Sequence, residues 1–110
     1  MKKKNYISPV NHQLSINKPT NNIDELRKLI DKLDNELIEI LAKRMKVSEE
    51  IGNLKKQNNI SSLQSNRWRE LINDRLNKAN NYNLDPKFIQ KLFQLIHDES
   101  VKIQNDIMNK

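Results

Sequence analysis

From Ile23 onward, apolar residues recur every three or four positions: Ile23, Leu26, Ile30, Leu33, Leu37, Ile40, Leu41, Val47, Ile51 and Leu54. That period marks one face of an α-helix. No proline interrupts the run, and Gly52 is its weakest helix former. Asn22, followed by Glu25, predicts an N-cap with a capping box. A helix over about 23–56 would be roughly 50 Å long at about 1.5 Å per residue. A compact domain of about 100 residues has a radius of gyration near 13 Å. Such a helix overhangs any core its own chain can build, so a partner chain is its natural cover. Asn58 to Ser62 reads as a loop. A second helix is expected from Ser65 to Ala79, with Trp68, Leu71, Ile72, Leu76 and Ala79 as its apolar face. Asn80–Asn83 reads as a turn. Asp85 as N-cap and Pro86 at the first helical position then open a third helix, carrying Phe88, Ile89, Leu92, Phe93, Ile96, Ile103 and Ile107. The predicted fold class is all-α: three helices, long, short and medium, with no strand candidate.

Composition sharpens this picture. At 110 residues there is room for one domain, and a 35% hydrophobic content is low for one that folds alone. The net charge of +6 suggests nucleic acid at first sight. The first 22 residues, however, hold Lys2, Lys3, Lys4 and Lys18 and no acid, while the rest carries 16 basic and 14 acidic residues. The expected organisation is therefore a disordered basic tail over 1–22 and a near-neutral domain over 23–110. With no cysteine, thiolate catalysis and Cys-based zinc sites are excluded. His12 and His97 lie in different regions and make no metal-ligand pair, so no metal is expected. No apolar run approaches a membrane span, and no apolar core follows Lys2–Lys4 as in a signal peptide. The reading is cytoplasmic, with no membrane and no nucleic-acid partner.

The informative residues break the apolar stripe. Leu37, Leu41, Arg44, Ser48, Ile51 and Lys55 follow one another at helical steps. Eleven residues separate Arg44 from Lys55, and eleven steps of about 100° return to within about 20° of the start. Phe93, Ile96, Ser100, Gln104 and Ile107 do the same in the third helix. Any one of these long side chains is explained by snorkelling. Two cations, a hydroxyl and an amide directed inward with no matching carboxylate instead call for an anionic partner. A small dianion supplies it.

With these residues in place, the chain resembles the AroQ-class chorismate mutases over about 23–108. Ile23-Asp24-Glu25-Leu26-Arg27 through Leu41-Ala42-Lys43-Arg44-Met45, then Ile51-Gly52 and Lys55, resembles that family's first helix. Lys87-Phe88-Ile89 to Ile96 and Glu99-Ser100 to Gln104 resembles its third. The resemblance implies an intertwined helical homodimer that converts chorismate to prephenate in phenylalanine and tyrosine biosynthesis, without a cofactor. It implies that Arg44 and Lys55 bind substrate, that Arg27 reaches the partner subunit's site, and that Arg67 completes a cationic wall. Ser100 would bind a carboxylate, and Gln104 with Lys55 would hydrogen-bond the ether oxygen of the breaking C–O bond. Acidic residues common near the start of the family's second helix are replaced by Gln64 and Trp68. Gln64 can still bind a hydroxyl, whereas the indole of Trp68 only donates. The Leu63-Gln64 and Arg67-Trp68 pattern resembles mutase domains fused to 3-deoxy-arabino-heptulosonate-phosphate synthase. Two alternatives stand beside the mutase: an isochorismate pyruvate-lyase on the same fold, and a non-catalytic module that binds a shikimate-pathway synthase.

The chemistry suits the residues. A concerted Claisen rearrangement needs no nucleophile, metal or redox group. Arginines at opposite ends of a pocket can hold a dicarboxylate in a compact conformer. Donors such as Lys55 and Gln104 would stabilise an ether oxygen that gains negative charge in the transition state.

Overall fold

A computed structural model describes residues 22–61 and 65–110. Residues 1–21 of the expected tail, and Gln64, lie outside them. Among the described residues there are three helices and no strand: α1 (Ile23–Gln57), α2 (Ser65–Asn81) and α3 (Pro86–Met108). Their order, long, short and medium, matches the hydrophobic pattern.

The starts of α1 and α3 and the ends of α1 and α2 have local causes. The Asn22 side chain accepts from the backbone N–H of Asp24 at 2.9 Å, satisfying a donor that the first turn leaves orphaned. Asp85 accepts from Lys87 N–H at 3.1 Å, and Pro86 occupies a position where a missing N–H costs nothing. Both interhelical turns begin with a Schellman motif built on asparagine rather than glycine. Ile60 N–H bonds to Lys55 C=O at 2.9 Å around Asn59, whose φ is 55°. Leu84 N–H bonds to Ala79 C=O at 2.9 Å around Asn83, whose φ is 60°. Asparagine tolerates this left-handed conformation better than other non-glycine residues. α2 runs through Asn81, two residues beyond the expected Ala79, because this motif places the reversal at Asn83.

The chain forms two compact units, Met1–Ala42 and Lys43–Lys110. In the first unit none of residues 22–42 is buried. Its large apolar side chains Ile23, Leu26, Ile30, Leu37, Ile38 and Ile40 are 40–63% exposed.

The second unit holds the core: Leu71, Ile72 and Ala79 of α2 with Ile89 of α3. These belong to the faces that the periodicity predicts. The part of α1 in this unit buries only Ser48 and Gly52. A Cβ on Gly52 would lie 3.1 Å from Gln104 Cα and 3.4 Å from Ile107 Cβ. Glycine here lets the backbones of α1 and α3 approach closely, which brings the side chains of one helix within reach of the other. No helix among the described residues is long and apolar enough to cross a membrane.

Candidate active site

The second unit contains a cavity of about 330 Å³ that all three helices line. α1 contributes Arg44, Ser48 and Lys55; α2 contributes Arg67 and Arg75; α3 contributes His97, Ser100 and Gln104. Val47, Ile51, Leu71 and Val101 supply apolar wall. Among the described residues, no carboxylate lines it.

The polar groups are ordered by one another. Ser48, Ser100 and Gln104 are 4%, 6% and 7% exposed, so each needs a partner. At one end, Arg44 Nη1 donates to Ser100 Oγ at 2.6 Å and Ser48 Oγ donates to the same oxygen at 2.9 Å. Ser100 turns its own proton to Met45 Sδ, 3.8 Å away. At the other end, Lys55 Nζ donates to Gln104 Oε1 at 2.9 Å. An ammonium has no acceptor, so it selects the amide oxygen, and the Gln104 Nε2 group becomes a donor.

The cations repel one another. Burial pushes the Arg44 guanidinium down from its ordinary pKa, and Arg75 and Arg67 push it further. Burial lowers Lys55 as well. His97 is lowered by burial, against the opposing pull of Asp98, with added depression from Arg44, Arg67 and Lys55. A concave, partly apolar site with convergent cations and no acid is suited to a small dianion.

The sequence argument placed Arg44 and Lys55 on one face, and both line the cavity, as do Arg67, Ser100 and Gln104. Arg27 belongs to the first unit, where it is exposed. Trp68 does not line the cavity; its ring lies against His97, with centroids 4.9 Å apart and planes tilted by 38°.

Ser48, Arg75 and His97 are cavity residues that the sequence argument did not assign to the site. The signal was present. Arg75 lies eight residues after Arg67, and His97 three before Ser100 and seven before Gln104, each on the same helical face. Arg75 is anchored by Asp74 at 2.5 Å, and its guanidinium carbon lies 5.7 Å from the centre of the Phe93 ring. That contact holds the Asp74 carboxyl below its ordinary range, the hydrogen bond from Arg75 being the largest cause.

Residues 26–105 match the family described as chorismate mutase type II. The chain belongs to that family. The all-helical order of the described residues is consistent with that membership. A bifunctional chorismate mutase/prephenate dehydratase of Buchnera aphidicola (Schizaphis graminum strain) is 33% identical over 90 residues, covering 82% of this chain and 23% of the relative. The bifunctional enzyme of the same description from Escherichia coli K12 is 31% identical over 85 residues, covering 77% and 22%. The chain thus spans under a quarter of the length of these curated relatives. Their second activity corrects one expectation: these mutase relatives are joined to a prephenate dehydratase, not to a 3-deoxy-arabino-heptulosonate-phosphate synthase. The Gln64 and Trp68 pattern is therefore no guide to a fusion partner.

Proposed function

We propose that this chain is a chorismate mutase whose cavity holds the substrate as a folded dianion. The observation that carries the reading is the pairing of Lys55 with Gln104 one helical turn along α3 from the pairing of Arg44 with Ser100, in one cavity that no carboxylate among the described residues lines. Arg44 and Arg67 are the carboxylate partners in this reading. Their charge-assisted bonds convert a floppy substrate into the reactive conformer, which is an entropic contribution. Ser100 joins them by rotating its proton from Met45 toward a carboxylate oxygen. As the C–O bond breaks, negative charge grows on the ether oxygen. Lys55 and the Nε2 group of Gln104 donate to it more strongly in the transition state than in the ground state. Gln64 is assigned to the ring hydroxyl by the family resemblance alone.

Arg27 is assigned to the partner subunit's site in a homodimer. The support is the exposed apolar stripe of the first unit, from Ile23 to Ile40, which has no core of its own. An amphipathic helix draws most of its stability from burying such a stripe. Light scattering should give twice the 13.1 kDa chain mass at micromolar concentration. Mixing Arg27→Ala with Arg44→Ala chains should restore activity, since a hybrid dimer has one intact site. Residues 1–22 are read as a tail outside the mutase domain of 23–110, so deleting 1–20 should leave turnover nearly unchanged. A synthase partner has no support beyond the resemblance.

The deciding experiment is the rate of chorismate loss with the purified protein, with isochorismate assayed in parallel. Acceleration of chorismate loss to prephenate is expected. Release of pyruvate from isochorismate without mutase turnover would assign the lyase instead, and silence on both would assign a binding module.

A further inference from the structure

His97 has no place in the chemistry above, yet it lines the cavity that Arg44, Lys55, Arg67 and Arg75 line. It shares a helical face with Ser100 and Gln104, and it lines the same cavity. Trp68 packs against its ring from outside the cavity, which limits the positions open to the imidazole. Arg44 and Lys55 on α1 and Arg67 on α2 act on it electrostatically, and Arg75 on α2 lines the same wall. From its own helix, Asp98 pulls the other way, and that carboxylate is itself engaged by Gln94 Nε2 at 2.8 Å. Among the cavity-lining side chains, His97 is the one whose ordinary pKa falls near neutrality.

We propose that His97 is a substrate-binding residue that takes up one proton from bulk water when a dicarboxylate enters the cavity, becoming a further cation against it. Two carboxylates brought among Arg44, Arg67, Lys55 and Arg75 offset the cationic repulsion that adds to burial in holding the imidazole below its ordinary pKa. Burial still opposes the charge, while Asp98 and the anion beside the ring both favour imidazolium. Linkage then fixes the direction of the effect. If the anion raises the pKa of His97, a protonated His97 must raise the affinity for the anion by the same factor. Binding is tightest below the free-state pKa, weakens through the interval between the two pKa values, and levels off above the bound-state pKa. The total change is about tenfold for each unit separating them.

This inference rests on the mutase reading, and the test separates the two. The wild-type protein and His97→Gln are assayed with chorismate from pH 5.5 to 8.5. In parallel, the ring Cε1–H of His97 is titrated by NMR with and without saturating prephenate, the stable dianionic product; the variant identifies the signal against that of His12. The expected result is an upward shift of the His97 titration with prephenate, a wild-type KM that rises with pH while kcat stays level, and a KM for His97→Gln that is flat and about tenfold higher than wild type at the acid end. Chorismate turnover with an unmoved His97 titration would overturn the proposal and leave the mutase standing. Absence of both turnover and any response to prephenate would remove the mutase reading and the proposal with it. A purely structural role for His97 predicts a change that is the same at every pH, and the titration of the unmutated protein decides the matter even if the variant folds poorly.

Discussion

The two stretches of α1 present the same helical face for opposite purposes. By the register of the sequence, the face that carries Leu26, Ile30 and Leu37 before Ala42 carries Arg44, Ser48 and Lys55 after it. In the first stretch nothing is buried, and large aliphatic side chains stand in solvent. In the second, the only residues buried are a serine and a glycine, and Arg44 and Lys55 line a cavity together with Val47 and Ile51. A helix that packs closely on its own chain through small residues can turn its polar side chains to a ligand. A helix with an uncovered aliphatic stripe needs another surface.

The largest effect should come from breaking the aliphatic stretch. Leu37→Lys places an unpaired charge where a second chain would cover it, at a cost of several kcal/mol. Activity should fall about a hundredfold or more, with the mass in light scattering halving. A Leu37→Lys protein that remains dimeric and active would show that the stripe has no partner.

Next in size are the cations of the second stretch. Arg44→Ala or Lys55→Ala should lower kcat/KM by about tenfold to a hundredfold, the loss of a charge-assisted bond worth roughly 1.5–3 kcal/mol. The fold should survive by circular dichroism, since neither side chain fills the core. Lys55 also sets the basic limb of the pH profile. Its pKa is lowered by burial, so under the proposed mechanism activity should fall as pH rises through a value below that of an ordinary lysine and the ammonium is lost. Wild-type kinetics in both alanine variants would reduce these residues to snorkelling side chains.

Gln104→Glu tests the donor that Lys55 orients. A protonated carboxyl can donate to the ether oxygen, whereas a carboxylate can only accept and repels the growing charge. Activity should be present at low pH and fall as pH rises through the new group's pKa. A profile parallel to wild type would remove Gln104 from the ether oxygen.

The smallest effect belongs to Gly52. An alanine gains about 1 kcal/mol in helix propensity, but its Cβ meets the backbone of α3 at 3.1 Å, a contact that no side-chain rotation relieves. Overpacking of this kind costs about 1–3 kcal/mol. Thermal melting of Gly52→Ala should show a net loss near 1 kcal/mol. A gain in stability would mean that α1 and α3 can move apart without penalty.

Much of the fold was legible in the chain. The three helices, the start signals of α1 and α3 and most of the core follow from local causes: a hydrophobic period of three to four, a side chain that caps an orphaned N–H, and a proline where no donor is needed. The same logic placed Arg44 and Lys55 on one face and Ser100 and Gln104 on another, because residues on one rigid helix have a relative orientation set by their spacing alone. The family resemblance identified Arg67 and gave these positions their chemistry.

What spacing cannot express is a contact between helices. That Arg44 meets Ser100 and Lys55 meets Gln104 depends on how closely α1 and α3 approach at Gly52, a distance set by packing. Arg75 and His97 share helical faces with cavity residues, but only the packing of the helices shows that they line the cavity. An arginine eight residues after another reads as surface until a neighbouring helix closes the space in front of it, and a histidine reads as neutral filler until three cations from two other helices surround it. The sequence by itself determined which residues lie on each face. Only the tertiary structure decided which faces meet, because close packing and desolvation arise between helices and are not properties of any one of them.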